Sequence, residues 1–241
     1  MKVTVELNGH AYTADLKEGI NISIGVGGKK EVSAYGIPRS KIETFEAGGF
    51  IGDVNKGGSC NVKNIFFNPH GNGTHTECVG HVAPAQNCLN DLLSDFHFSA
   101  QLVTVDCDSV IEEKHLAAFD LAATDALIIR TLPNNLQKKS NEYAGTHPIY
   151  FSDAAMKFVV SKGFNHLVVD LPSVDSETSR SLSAHKIFWE IENEKPSTKT
   201  ITELVYIPDE IKDGLFLMNL MIPNMHCDAL PSQPILFPLR Y

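Results

Sequence analysis

The sequence predicts an α/β domain rich in strands and poor in helices. Three observations carry that reading. Short apolar runs of strand length recur from end to end, segments with helical periodicity are few, and no Pro/Gly/Ser-rich linker divides the 241 residues. That length suits one α/β domain, so residues 1–241 are read as a single unit. Hydrophobic residues make up 43% and charged residues 20%, enough apolar material for a buried core.

The first segment, "MKVTVELNGHAYTADL", alternates apolar and polar residues as a half-buried strand does. It has no basic stretch followed by an apolar one, so it does not read as a secretory signal. Further strands are expected at "VTVEL", "NISIGV", "LVTVD", "ALIIRT", "HLVVDL", "ITELVYI", "LFLMNLMI" and "PILFPL", most of them rich in Val, Ile or Leu. "LFLMNLMI" is the most apolar run and is far too short to span a bilayer. "SDAAMKFVVSKGF" reads as a helix. Ser152 can cap it, Asp153 suits its first turn, Ala155, Met156, Phe158 and Val159 form an apolar face, and Gly163 can stop it. "IEEKHLAAFDL" and "SAHKIFWEIENE" carry weaker helical patterns, and "NEKPSTKT" (193–200) reads as an exposed loop.

The net charge of -9 disfavours nucleic acid and anionic membranes as partners. Five cysteines, irregularly spaced and without a CxxC pair, read as reduced thiols in a cytoplasmic protein. Cys60 and Cys78 are expected to be small buried hydrophobes. "GVGGKK" (25–30) lacks the spacing of a phosphate loop.

The chemistry concentrates in "FNPHGNGTHTECVGHV" (67–82), where His70, His75, His81 and Glu77 lie among glycines. Gly71, Asn72 and Gly73 permit a tight turn with positive φ. If the segment after them is extended, His75 and Glu77 share one face. Imidazole with carboxylate is a donor set for Zn²⁺, Mn²⁺ or Fe²⁺. Asp170, Ser173 and Asp175 in "DLPSVD" read first as turn-capping residues at a strand end, and second as neighbours of the site.

"GTHTECVGH" resembles the His-x-Gly-Thr-His-x-Asp-x-Pro-x-His signature of the cyclase-type metal-dependent hydrolases, which include bacterial kynurenine formamidase and isatin hydrolase. "DALIIRT", "AGTHPIYFSDAAMKFVVSKGFNHLVVDLPSVD" and "AHKIFWE" with "ITEL" resemble later family segments, so the likeness runs over roughly residues 20–240. It implies a swivelling β/β/α-type fold with mixed sheets and flanking helices, one or two divalent metals (Zn or Mn) per chain, and a dimer or larger homo-oligomer. It also implies a small-molecule substrate whose amide or lactam carbonyl is attacked by activated water, N-formylkynurenine being the best single choice. His75, Glu77, His185 and Glu203 would hold metal. His81 would shuttle the proton, with contact to a second metal as the alternative. Tyr35, in "SAYGIPRSK", falls where formamidases carry an aromatic residue for the substrate ring.

The chain also departs from the pattern. The family's first histidine falls on Gly71, with His70 one residue early. Either a bulge lets His70 ligate, or that ligand is lost, which would mean a different metal, a single metal or the inactive site of a non-catalytic relative. Glu77 stands for Asp and Val79 for Pro. A lyase using the same loop would share every one of these residues.

Overall fold

Nine strands hydrogen-bond into one mixed sheet in a computed structural model that describes residues 1–83, 88–192 and 197–241. From one edge to the other they are Ala229–Pro231, His75–Glu77, Thr200–Glu203, His166–Val169, Ala126–Leu132, His97–Asp106, Gly214–Asn219, Ile235–Pro238 and Ile20–Asn21. The four central strands, Thr200–Glu203 to His97–Asp106, are parallel; the pairings outside them are antiparallel. The expected α/β class is therefore the observed one.

Parallel strands need crossovers, and helices supply them. Glu113–Ala117 lies between the strands His97–Asp106 and Ala126–Leu132, Asp153–Ser161 before His166–Val169, and Ser183–Phe188 before Thr200–Glu203. In the Asp153–Ser161 helix, Ser152 Oγ accepts the Ala155 N–H at 3.2 Å, and Gly163 follows with φ 82°. The two innermost strands, Ala126–Leu132 and His166–Val169, are mostly apolar because both faces are covered. Leu127, Ile129, Leu167 and Val169 pack with Met156, Val159, Phe188 and Trp189 on one face. Ile128, Val168 and Leu102 pack with Leu89, Phe216, Met218 and Leu230 on the other.

The sequence reading differs from the structure in places. "NISIGV" (21–26) contributes only Asn21, the end of the Ile20–Asn21 strand, and an isolated bridge at Ser23; Asn21 Oδ1 takes the Ser23 N–H at 2.9 Å in place of a ladder partner. "ITELVYI" stops at Glu203, where Leu204 adopts φ 56°. Hairpins at Lys41–Thr44 with Lys63–Phe66, and at Glu46–Ala47 with Phe50–Ile51, carry no apolar run and went unread. Cys60 is exposed, not buried, because it sits in the loop between those small hairpins; Cys78 is buried as expected. None of the five cysteines forms a disulfide. Of the expected loop 193–200, residues 193–196 lie outside the described residues. Among the described residues no helix is long and apolar enough to cross a membrane.

Candidate metal centre

The centre is laid down by sheet register. Glu203 ends its strand and stands directly opposite His75, two residues before Glu77 on the neighbouring strand. Side chains alternate along a strand, so His75, Glu77 and Glu203 fall on one face. Thr76 falls on the other, 2.7 Å from the Thr202 hydroxyl. The approach to this strand is held by the Gly-Thr pair. Gly73 has φ 144°, and a Cβ there would lie 2.8 Å from the Ile24 carbonyl. Thr74 Oγ1 accepts the Ile24 N–H at 2.7 Å and donates to the Leu204 carbonyl.

The turn before it brings His70 back to the cluster. Asn68 and Asn72 build this turn from their side chains: Asn68 Oδ1 accepts the His70 N–H at 3.0 Å, and Asn72 Oδ1 accepts the Asn68 N–H at 2.8 Å. Gly71 does not need positive φ; it needs space, since a Cβ would lie 2.8 Å from Ile37 Cβ. His81 arrives on a 3₁₀ turn, Val79–His81, immediately after the strand. His185 comes from the Ser183–Phe188 helix, whose Ala184 and His185 N–H groups donate to the Asp175 carboxylate at 3.0 and 3.1 Å.

All four imidazoles turn one nitrogen inward and fasten the other outside. Inward, His70 Nδ1 is 3.2 Å from Glu77 Oε2, His185 Nε2 is 3.1 Å from Glu77 Oε1, His81 Nε2 is 4.0 Å from Glu77 Oε2, and His75 Nε2 is 3.4 Å from Glu203 Oε2. Outward, His75 Nδ1 pairs with the Gly73 carbonyl at 3.1 Å and His185 Nδ1 with Asp175 Oδ2 at 2.6 Å. His70 Nε2 and His81 Nδ1 both face Asp228 Oδ2, at 3.3 and 3.5 Å.

This donor set fits a divalent cation. His75 Nε2 and both Glu77 oxygens are buried and make no well-aligned hydrogen bond among the described residues, the Glu77 oxygens meeting the His70 and His185 rings. Such atoms are costly to leave without a partner. Ligand atoms of His75, Glu77 and Glu203 lie within 4.8 Å of one another, as do those of His70, Glu77 and His81. The two sets share Glu77. The electrostatics agree. Burial opposes charge on His70, yet Asp228 and Glu77 outweigh it and raise the ring to about 10. His185 is likewise raised well above its ordinary value, burial being overcome by Asp175, Glu203 and Glu77. Burial also opposes the Glu77 anion, but His185 and then His70 hold it below the usual carboxylate range. Converging carboxylates call for a positive centre, and without a cation the imidazoles provide it.

The structure thus brings together His70, His75, Glu77, His81, His185 and Glu203. Tyr35 lies to one side: although it is 41% exposed overall, its hydroxyl donates to the Pro172 carbonyl at 2.7 Å, on the loop leading to Asp175. Asp170 is not the local turn cap first expected: its carboxylate accepts the Thr131 N–H and hydroxyl from the neighbouring strand and pairs with Lys138, while the local cap is Ser173, whose Oγ accepts the Asp175 N–H at 3.1 Å. Asp175 is more than a cap, since it holds His185. Asp228 was missed by the sequence reading. It is 158 residues from His70, in a segment without any spacing signal, and only the pairing of Ala229–Pro231 with His75–Glu77 delivers it.

The Cyclase family model, described as "Putative cyclase", matches residues 10–176. The chain is 27% identical over 184 residues to a kynurenine formamidase of Bacillus thuringiensis (strain Al Hakam), and 30% identical over 184 residues to that of Bacillus mycoides (strain KBAB4). Each match covers 76% of this chain and 82% of the relative. Among solved structures, isatin hydrolase A from Labrenzia aggregata, bound to benzyl benzoate, superposes with a TM-score of 0.68 at 12% identity, covering 91% of this chain and 93% of that one. A structure described as a "Potential Metal-Dependent Hydrolase With Cyclase Activity" gives 0.67 at 15% identity, covering 92% and 98%. At such identities these two share the fold.

Proposed function

The chain belongs to the cyclase family, and on that premise we propose that it is a metal-dependent hydrolase cleaving the C–N bond of a small amide, formamide or lactam. N-formylkynurenine is the first substrate to test, on the strength of the formamidase relatives. The observation that carries the reading is the set of four imidazoles, each with one nitrogen fastened outside and the other turned toward a buried glutamate, Glu77 for His70, His81 and His185 and Glu203 for His75.

His75, Glu77, His185 and Glu203 would hold a Zn²⁺ or Mn²⁺ ion, with His70 joining them at the open side. When bound, such an ion supplies Lewis acidity toward a carbonyl oxygen and toward water. The chain's own residues do the rest. His81 is 27% exposed, so its Nε2 can meet substrate. It takes a proton from the attacking water and returns one to the departing nitrogen as the C–N bond breaks, giving a carboxylic acid and an amine. Trp189, its ring 6.5 Å from that of His81 and 5.4 Å from that of His185, walls the cluster with apolar surface. Tyr35 borders the substrate approach.

A non-catalytic role would follow if the ligand expected at position 71 were lost. His70 beside Glu77 weighs against it. The test is metal content combined with a formamide-hydrolysis assay. The protein is expected to carry or take up at least one Zn²⁺ or Mn²⁺ per chain and to lose hydrolysis on chelation. Protein that stays metal-free after dialysis against both ions overturns the reading, and a product lacking the added water would mark a lyase.

A further inference from the structure

We propose that Asp228 is a positioning residue that fixes His70 and His81 together, so that one carboxylate aligns the open side of the centre. This rests on the metal-binding reading above. One oxygen, Oδ2, stands 3.3 Å from His70 Nε2 and 3.5 Å from His81 Nδ1, the two nitrogens turned away from Glu77. The rings lie side by side, 4.4 Å between centroids and tilted by 31°, so a single acceptor can serve both. The other oxygen, Oδ1, accepts the Cys227 thiol at 3.2 Å, a contact that favours the orientation in which Oδ2 faces the two rings.

The backbone of Asp228 is equally constrained. Its carbonyl accepts the Cys78 N–H at 3.0 Å, and Ala229, the next residue, pairs with Glu77 across the sheet edge. The carboxylate is thereby tied to the strand that carries the shared ligand. Carboxylates behind metal-binding imidazoles select the tautomer and orient the ring. His185 has its own in Asp175. His70 and His81 share theirs, and they need it more, since neither is on a regular strand or α-helix. His70 in particular comes from a side-chain-built turn one residue ahead of the position the family pattern calls for.

Titration of Co²⁺ into metal-free full-length protein, read by the visible ligand-field spectrum, tests this. His70→Ala first defines the share of binding that belongs to the open side. In Asp228→Ala that share is expected to weaken about 10–100-fold, the usual effect of losing such a partner. The share that survives His70→Ala should keep its affinity and spectrum. Asp228→Asn, which retains one acceptor oxygen, should recover part of the loss; it also covers the case in which the alanine variant does not fold. Wild-type affinity and spectrum in Asp228→Ala, or an equal loss on both shares, overturns the proposal. So does a His70→Ala variant that loses no binding. Wild-type protein that takes up no Co²⁺ overturns the metal reading itself, a result distinct from all of these.

Discussion

Two sides of one cluster are built by different means. His75, Glu77, Glu203 and His185 form a floor whose side chains are at most 3% exposed, three of them set by strand register and the fourth by a helix capped on Asp175. His70, His81 and Asp228 form a rim, 22–34% exposed, carried by turns and held mainly by contacts among themselves. The floor is a by-product of pairing strands, so its geometry is as rigid as the sheet. The rim depends on side chains positioning side chains. Departures from the family pattern at position 71 lie on the rim, where local contacts can absorb them.

Substitutions can sharpen that contrast. The largest effect is expected from Glu77→Gln, because Glu77 faces both sides: no metal should survive gel filtration, and hydrolysis should fall to background. Retention of wild-type metal would show that floor and rim do not share a ligand. Next is His81→Gln, a rim change. Loss of general acid–base catalysis should lower kcat about 10²–10⁴-fold, with metal content and melting temperature nearly unchanged. If metal is lost in proportion to activity, His81 is a ligand and not the proton carrier. Asp175→Asn attacks the floor from behind. By freeing the His185 ring it should cost roughly 10–100-fold in metal affinity, and excess metal in the assay should restore much of the rate. The smallest effect is expected from Gly71→Ala. Its Cβ would press on Ile37, an overpacking worth about 1–3 kcal/mol, visible as a lower melting temperature while the floor still binds metal. An unchanged melt would mean that Ile37 yields freely.

The same contrast decides what could be read from the sequence. His75 and Glu77 were legible because a two-residue spacing has one meaning on an extended segment. Gly73-Thr74 was legible through the resemblance to the family signature, and the structure supplies the reason for the pair: the backbone at Gly73 lies against Ile24, whose N–H Thr74 accepts. The central strands announced themselves as apolar runs because both of their faces are covered. His70 could not be placed, because whether a turn gains a residue depends on which side-chain hydrogen bonds close it, here those of Asn68 and Asn72. Asp175 looked like a cap and is one; that it also faces His185 follows from the helix folding over it. Asp228 was invisible, because a lone carboxylate before a three-residue strand has no periodicity to betray it.

That short strand also orders events during synthesis. Thr76 sits against Thr202 and Ser232, 126 and 156 residues further along the chain. The histidine segment therefore leaves the ribosome long before either neighbour exists. Contacts of such separation form late and slowly. Until then the growing polypeptide holds a loose, histidine-rich loop with no Glu203, no His185 and no Asp228 to complete it. On the metal-binding reading, capture would be deferred until nearly all of the chain is made, and fragments released before Pro231 are expected to be unable to hold an ion.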